Sequence, residues 1–280
     1  MQAPRTRSAR NLYISLLKDA LSFRLWPEPP VEPGYFAMPG ERQTDERLDE
    51  LRAELGARGL GIYQQVEIDP RKQANGEVFR RYADTMIGNK RLDQLDRAVR
   101  TVLKEDIPGD LIETGVWRGG ACILMKGVLE AFGDTARRVF VADSFQGLPE
   151  PEERAPADAG ATWHEMRFLA VSEDQVRANF ERYGLLDERV IFLKGFFADT
   201  LPEAPIEQLS VLRLDGDMYS STMDALTALY DKLSPGGFLI VDDYTILPCR
   251  AAVEDFRARR GIEDEVERID RTAAFWRKSG

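Results

Sequence analysis

DLIETGVWRGGACI, residues 110–123, decides how the chain folds. An apolar run ends in Glu113, a turn carrying Gly115, Gly119 and Gly120 follows, and an apolar stretch at helical spacing begins at once. Strand, glycine turn and helix in that order open a βα unit of an α/β sheet. Downstream the same texture repeats. RRVFVADS, RVIFLKG, LSVLRLD and FLIVDD read as buried strands, separated by helical patterns such as SEDQVRANFERYGL and YSSTMDALTALYDKL. DEVERID and AAFWRK close the chain as two short strands. Alternation of this kind predicts a mostly parallel sheet covered on both faces. The short connection around Arg271 suits a hairpin, so the expected sheet has seven strands with an antiparallel C-terminal strand.

Upstream, NLYISLLKDAL (11–21) has the spacing of an amphipathic helix. WPEPPVEPGYFAMPGE (26–41) is too rich in proline for regular structure and reads as a loop or extended arm of the kind that forms lids. TDERLDELRAELGARGLG (44–61) predicts a charged helix ended by glycine, and residues 75–107 predict a further helix broken near Gly88.

Composition narrows the function. The 280 residues are 43% hydrophobic and 31% charged, which suits a folded domain with a sizeable core. The net charge of −10 argues against a nucleic-acid or anionic-membrane partner, whose binding needs a basic footprint. Cys122 and Cys249 are isolated, so no disulfide framework is expected and a reducing cytoplasm is the natural setting. The basic N-terminus precedes no long apolar run, so neither a signal peptide nor a membrane span is expected.

The glycine turn has the pattern E-x-G-x-x-x-G-G, not the dinucleotide fingerprint. A carboxylate at the strand's end disfavours a pyrophosphate and favours an ammonium group. The turn therefore suits a cationic, amino-acid-bearing cofactor, S-adenosylmethionine. VFVADSF supports this, because an acid at the end of the next strand, Asp143, is the usual partner of ribose hydroxyls, with Ser144 and Phe145 placed to line the adenosine. The alternative for Asp143 is a turn cap. Farther on, Asp215 ends VLRLD, and Asp242 and Asp243 end FLIVDD. Adjacent strands would bring these three carboxylates together, where they repel unless a cation intervenes. An oxygen-only ligand set points to Mg²⁺. Asp217 is expected to cap the following helix near Ser220.

DTMIGNKRLDQL (84–95), DLIETGVWRGGACI, VADSFQGLPEP (141–151), residues 179–202, residues 209–244 and CRAAVEDFRARRGI (249–262) together resemble the macrocin O-methyltransferase family. The resemblance implies a class I methyltransferase Rossmann-like fold: residues 101–280 as the S-adenosylmethionine-binding catalytic domain, residues 1–100 as N-terminal helices and lid. It implies an S-adenosylmethionine- and Mg²⁺-dependent enzyme that methylates a sugar hydroxyl of a glycosylated natural product; a catechol or phenol O-methyltransferase is the alternative. It further implies that Glu113 and Gly115 hold the methionine part of the cofactor, with Met86 and Ile87 packed nearby. Asp143 would take the ribose, Ser144 and Phe197 would lie by the adenosine, and Asp215, Asp242 and Asp243 would hold the metal. Two groups are candidate bases, Asp215 and His164, the chain's one histidine. Trp117 and Arg118 would shape the pocket mouth. A homo-oligomer, dimer or higher, is expected on general grounds.

Overall fold

The computed structural model describes residues 8–33 and 45–280. A seven-stranded sheet forms the centre: β1 (Asp110–Thr114), β2 (Val139–Asp143), β3 (Val190–Lys194), β4 (Leu209–Leu214), β5 (Leu233–Val241), β6 (Glu267–Arg268) and β7 (Ala274–Arg277). The spatial order is β3-β2-β1-β4-β5-β7-β6. β1 to β5 pair in parallel, while β7 runs antiparallel to both β5 and β6. The mostly parallel sheet with one antiparallel C-terminal strand expected from the sequence is the one observed.

The helices of the described residues are α1 (Ala9–Leu21), α2 (Glu46–Gly56), α3 (Pro70–Ala74), α4 (Asn89–Lys104), α5 (Gly120–Phe132), α6 (Glu173–Arg182), α7 (Phe197–Thr200), α8 (Tyr219–Leu229) and α9 (Leu247–Arg260). Successive strand residues face opposite sides of the sheet, so Leu111 and Ile112 enter different cores. On one side α1, α4 and α5 pack through Leu17, Leu92 and Leu124 into the same apolar cluster as β1. On the other, α8 and α9 pack through Leu226 and Val253 against Leu212, Leu239 and Trp276. Among the described residues no helix is long and apolar enough to cross a membrane.

One local expectation changes. Residues 75–88 are not helical; helix begins only at Asn89. The reason is tertiary. The Asp84 N–H donates to the Leu21 carbonyl at 2.8 Å and the Asp84 carbonyl accepts from the Gly120 N–H at 3.0 Å, so this backbone joins the end of α1 to the start of α5. Of the proline-rich arm, residues 34–41 lie outside the described residues. Residues 26–33 are irregular but anchored: Val31 bridges Gln64, and the buried Glu28 carboxylate accepts the Arg81 N–H at 2.9 Å.

Candidate active site

The carboxyl ends of β1, β2 and β4 surround one cavity of about 420 Å³, within the usual range for small-molecule clefts. Its lining includes Met86, Gly115, Trp117, Asp143, Ser144, Phe197, Asp215 and Asp217. The turns that build it are strained. Of the five non-glycine residues with positive φ among the described residues, Trp117, Phe145 and Asp217 follow β1, β2 and β4 respectively. Each such conformation costs about 1–3 kcal/mol and persists where the surroundings enforce it, commonly at functional sites. Gly115 shows why a glycine is required after β1: its φ is +89°, and a Cβ there would stand 1.7 Å from the Asp215 carbonyl oxygen.

The acids meet as the register dictates. Leu214 lies opposite Val241 and the Asp242 N–H donates to the Leu214 carbonyl, so Asp215 and Asp242 are neighbours across the strand pair. One carboxylate oxygen from each of Asp215, Asp242 and Asp243 lies within 4.8 Å of the others. Beneath them runs Arg213, a guanidinium inside an otherwise uncharged, fully buried strand. It pairs with Glu113, with Asp215 at 2.7 Å and with Asp242 at 2.5 Å. Arg91, from α4, pairs with Asp242 from the other side. A buried cation is tolerated only with such partners.

The balance is still acidic. Glu113, Asp215, Asp217, Asp242, Asp243 and Asp270 set six carboxylates against the two guanidinium groups of Arg213 and Arg91. Burial pushes the Asp243 carboxyl well above its ordinary range, and the charges of Asp217, Asp215 and Asp242 push it further. Burial likewise raises Asp217 to about 7, with Asp215 and Asp242 adding to the effect. Crowded, raised carboxyls with oxygen-only donors are the environment that a hard divalent cation relieves, and these residues fit one.

The predicted residues divide clearly. Met86, Gly115, Asp143, Ser144, Phe197 and Asp215 line the cavity; Ile87, Glu113, His164, Asp242 and Asp243 do not, so of the carboxylate triad Asp215 alone faces it. Ile87 is core. The Glu113 carboxyl turns away from the cavity, to Arg213 and to the Cys122 thiol, whose Sγ donates to it at 3.0 Å. Burial raises Glu113 to about 7, against the pull of Arg213. The Asp143 carboxylate accepts from the Val116 N–H at 2.8 Å and the Phe145 N–H at 2.7 Å, so it organises both neighbouring turns as well as facing the cavity. Ser144 Oγ is engaged locally, donating to the Gly147 carbonyl at 2.6 Å. Trp117 donates from Nε1 to the Phe168 carbonyl at 2.9 Å, holding the segment after β2 against the wall. Arg118 instead ties down the Arg81 and Ala83 carbonyls.

Asp217 does not cap α8. Asp158 does, from 61 residues upstream: its oxygens accept the Tyr219 N–H at 2.6 Å, the Ser220 N–H at 2.9 Å and the Ser220 hydroxyl at 2.7 Å. Asp217 is thereby free to face the cavity. Among the described residues no hydrogen-bond donor reaches its carboxylate; only its backbone N–H is engaged, with Asp243 at 3.2 Å. Sequence reasoning missed the roles of Arg213, Arg91, Asp158 and Asp217. For Arg213 there was a signal, a lone charge in an apolar strand, which demands a buried partner.

The family model for Macrocin-O-methyltransferase (TylF) matches residues 10–278. The chain belongs to that family. It is therefore an O-methyltransferase, an enzyme. The 8-demethyl-8-(2,3-dimethoxy-alpha-L-rhamnosyl)-tetracenomycin-C 4'-O-methyltransferase of Streptomyces olivaceus is 49% identical over 278 residues, 97% of this chain and 94% of that protein. The mycinamicin III 3''-O-methyltransferase of Micromonospora griseorubida is 48% identical over 223 residues, 78% of this chain and 88% of its own length. Among solved structures, the O-methyltransferase NovP superposes with a TM-score of 0.82 at 41% identity, covering 97% of this chain and all of that one.

Proposed function

We propose that the enzyme transfers a methyl group from S-adenosylmethionine to a sugar hydroxyl of a glycosylated natural product, with a divalent cation, Mg²⁺, at Asp215, Asp242 and Asp243. The observation that carries the reading is the triad of carboxylates beside a cavity whose floor is the glycine turn after β1. Similarity to relatives acting on a rhamnosyl tetracenomycin and on mycinamicin supports a sugar over a phenol as acceptor. The charge of the wall bears on the donor and on any phosphate. Asp143, Glu152, Asp199, Asp215, Asp217 and Asp224 line the cavity against one guanidinium, Arg154, which is already paired with Glu152 and with Asp224 at 2.7 Å. Such a wall attracts a sulfonium and repels a phosphate, so the acceptor is a sugar already free of any nucleotide.

The donor supplies an electrophilic methyl on a positively charged sulfur. Gly115 lets that donor approach the end of β1, and Met86, Trp117 and Phe197 give it apolar walls. When bound, the cation supplies a Lewis acid that lowers the pKa of a sugar hydroxyl. Arg213 keeps Asp215 and Asp242 at fixed separation, because one guanidinium grips both. Asp217 takes the hydroxyl proton as the methyl passes from sulfur to oxygen. It suits that task better than Asp215, whose Oδ2 already accepts from Arg213.

His164 is not needed. It sits in a short 3₁₀ turn, away from the cavity lining, with its Nδ1 buried and, among the described residues, without a hydrogen-bond partner. His164→Ala is expected to keep wild-type turnover at saturating acceptor across the pH range; a large loss of kcat with unchanged folding would return it to the chemistry. The function itself is tested by incubating the enzyme, S-adenosylmethionine and Mg²⁺ with a set of glycosylated natural products and their aglycones. Mass spectrometry should find the gain of one methyl on the glycosides alone. Methylation of free catechols and of no glycoside would overturn the sugar reading.

A further inference from the structure

Arg91 stands out among the groups around the acidic site. A positive charge next to a cation site opposes the cation, yet this one is built in with care. Arg91 Nη1 donates to Asp242 Oδ2, and Nε donates to Asp270 Oδ2 at 2.8 Å. Asp270 is itself fixed, its Oδ1 accepting the Thr272 and Ala273 N–H groups at 2.9 Å each. Behind the guanidinium, Gly76 has φ +70°, and a Cβ there would stand 2.0 Å from Arg91 Nη2. Three remote pieces of chain, at residue 76, in α4 and in the hairpin after β6, thus close around one guanidinium whose side chain is only 8% exposed. Burial alone pulls the guanidinium towards losing its proton, but Asp242 and Asp270 more than offset this.

Asp242 carries two such groups, Arg91 on Oδ2 and Arg213 on Oδ1. Arg213 also grips Asp215 and so belongs to the frame of the site. Arg91 touches no other member of the triad. Its one hydrogen-bonded link to the triad is Asp242; Asp215 feels it only through charge.

We propose that Arg91 is a positioning residue for the cation: anchored by Asp270, it clamps the Asp242 carboxylate so that one oxygen stays within reach of Asp215 and Asp243. The inference rests on the metal reading above. It explains why a repelling charge is present: the ordering of a ligand outweighs the repulsion. Groups of this kind, bonded to a ligand and not to the ion, typically change metal affinity about 10- to 100-fold when removed. It also gives the segment before α4 a part in the chemistry, since that segment shapes the pocket in which the guanidinium lies.

The two effects have opposite signs, which makes the test decisive. Binding of Mn²⁺ to the full-length protein is followed by the electron paramagnetic resonance signal of the free ion, and S-adenosylhomocysteine binding is followed by calorimetry. Arg91→Gln removes the charge: repulsion alone predicts tighter Mn²⁺ binding, positioning predicts binding about tenfold weaker or more. Arg91→Lys keeps the charge but cannot span both carboxylates, and should fall between wild type and Arg91→Gln. S-adenosylhomocysteine affinity should hold in both. Mn²⁺ affinity equal to or tighter than wild type in Arg91→Gln overturns the proposal, as does a parallel loss of S-adenosylhomocysteine binding, which would mark collapse of the strand ends. Should Arg91→Gln fail to fold, Asp270→Asn decides: weaker Mn²⁺ binding supports the clamp and unchanged binding overturns it. A wild-type protein without a Mn²⁺ site would sink the metal reading and the clamp together, whereas a wild type that binds and an Arg91→Gln variant that binds equally would sink the clamp alone.

Discussion

Asp217→Asn should lower kcat by about 10²- to 10⁴-fold, the range that a positioned general base contributes, with S-adenosylhomocysteine binding intact. Asparagine has nearly the same shape but cannot take a proton. The backbone N–H of residue 217 still donates to Asp243, so the left-handed turn at φ 55° keeps its anchor. Asn is among the residues that best tolerate that conformation, and α8 keeps its cap from Asp158. The pH profile supplies a second reading. A base must be ionised to act, so activity falls as pH drops through its pKa. Burial raises the Asp217 carboxyl and acts with or without the cation, which places that acid limb above the ordinary carboxylate range; the further push from Asp215 and Asp242 belongs to the cation-free site. Asp217→Asn should flatten the limb as well as lower the plateau. A variant that turns over within a fewfold of wild type, with its acid limb unchanged, would hand the proton to Asp215.

The parallel part of the sheet was legible because strands buried on both faces must be apolar, and the five runs of β1 to β5 stood out between helical patterns, whereas the exposed β6 was legible only through its short connection to β7. The neighbouring positions of Asp215 and Asp242 followed from the same logic, since strand ends in a parallel sheet share an edge. What the sequence hid was everything fixed by remote contact. Residues 75–88 have helical composition, yet their backbone groups are claimed by Leu21 and Gly120. Asp217 sits where a helix cap is expected, and only the fold brings in Asp158 to take that place. Glu113 looks like a ligand for the donor when Arg213 is ignored; with Arg213 beneath it, its carboxyl turns inward. His164 drew attention as the one histidine in the chain, a property of composition that carries no information about position.

Chelation is expected to abolish methyl transfer and added Mg²⁺ to restore it, and the variant that isolates this effect is Asp243→Asn. From the sequence alone Asp242→Ala serves equally well. In the structure it does not, because Asp242 partners both Arg91 and Arg213, and breaking buried pairs of this kind costs about 3–5 kcal/mol. A dead Asp242→Ala enzyme would therefore report misfolding as readily as metal loss. Among the described residues the Asp243 carboxylate accepts one hydrogen bond, from the Asp217 N–H, which an asparagine oxygen can still accept, and the Asp243 carbonyl keeps its bond from the Ile246 N–H. Its removal also relieves the like-charge crowding that lifts its own carboxyl, so the variant should melt no lower than wild type. Mn²⁺ affinity should nevertheless fall by about 100-fold or more, beyond what is typical for groups that only support a ligand. Activity should fall with it and return in part at high Mg²⁺, while S-adenosylhomocysteine binding, proposed to lie at the ends of β1 and β2, should stay as it was. Full turnover by chelator-treated wild-type enzyme would mean that a sugar hydroxyl loses its proton here without Lewis-acid help. The three carboxylates would then need another reason to share one strand edge.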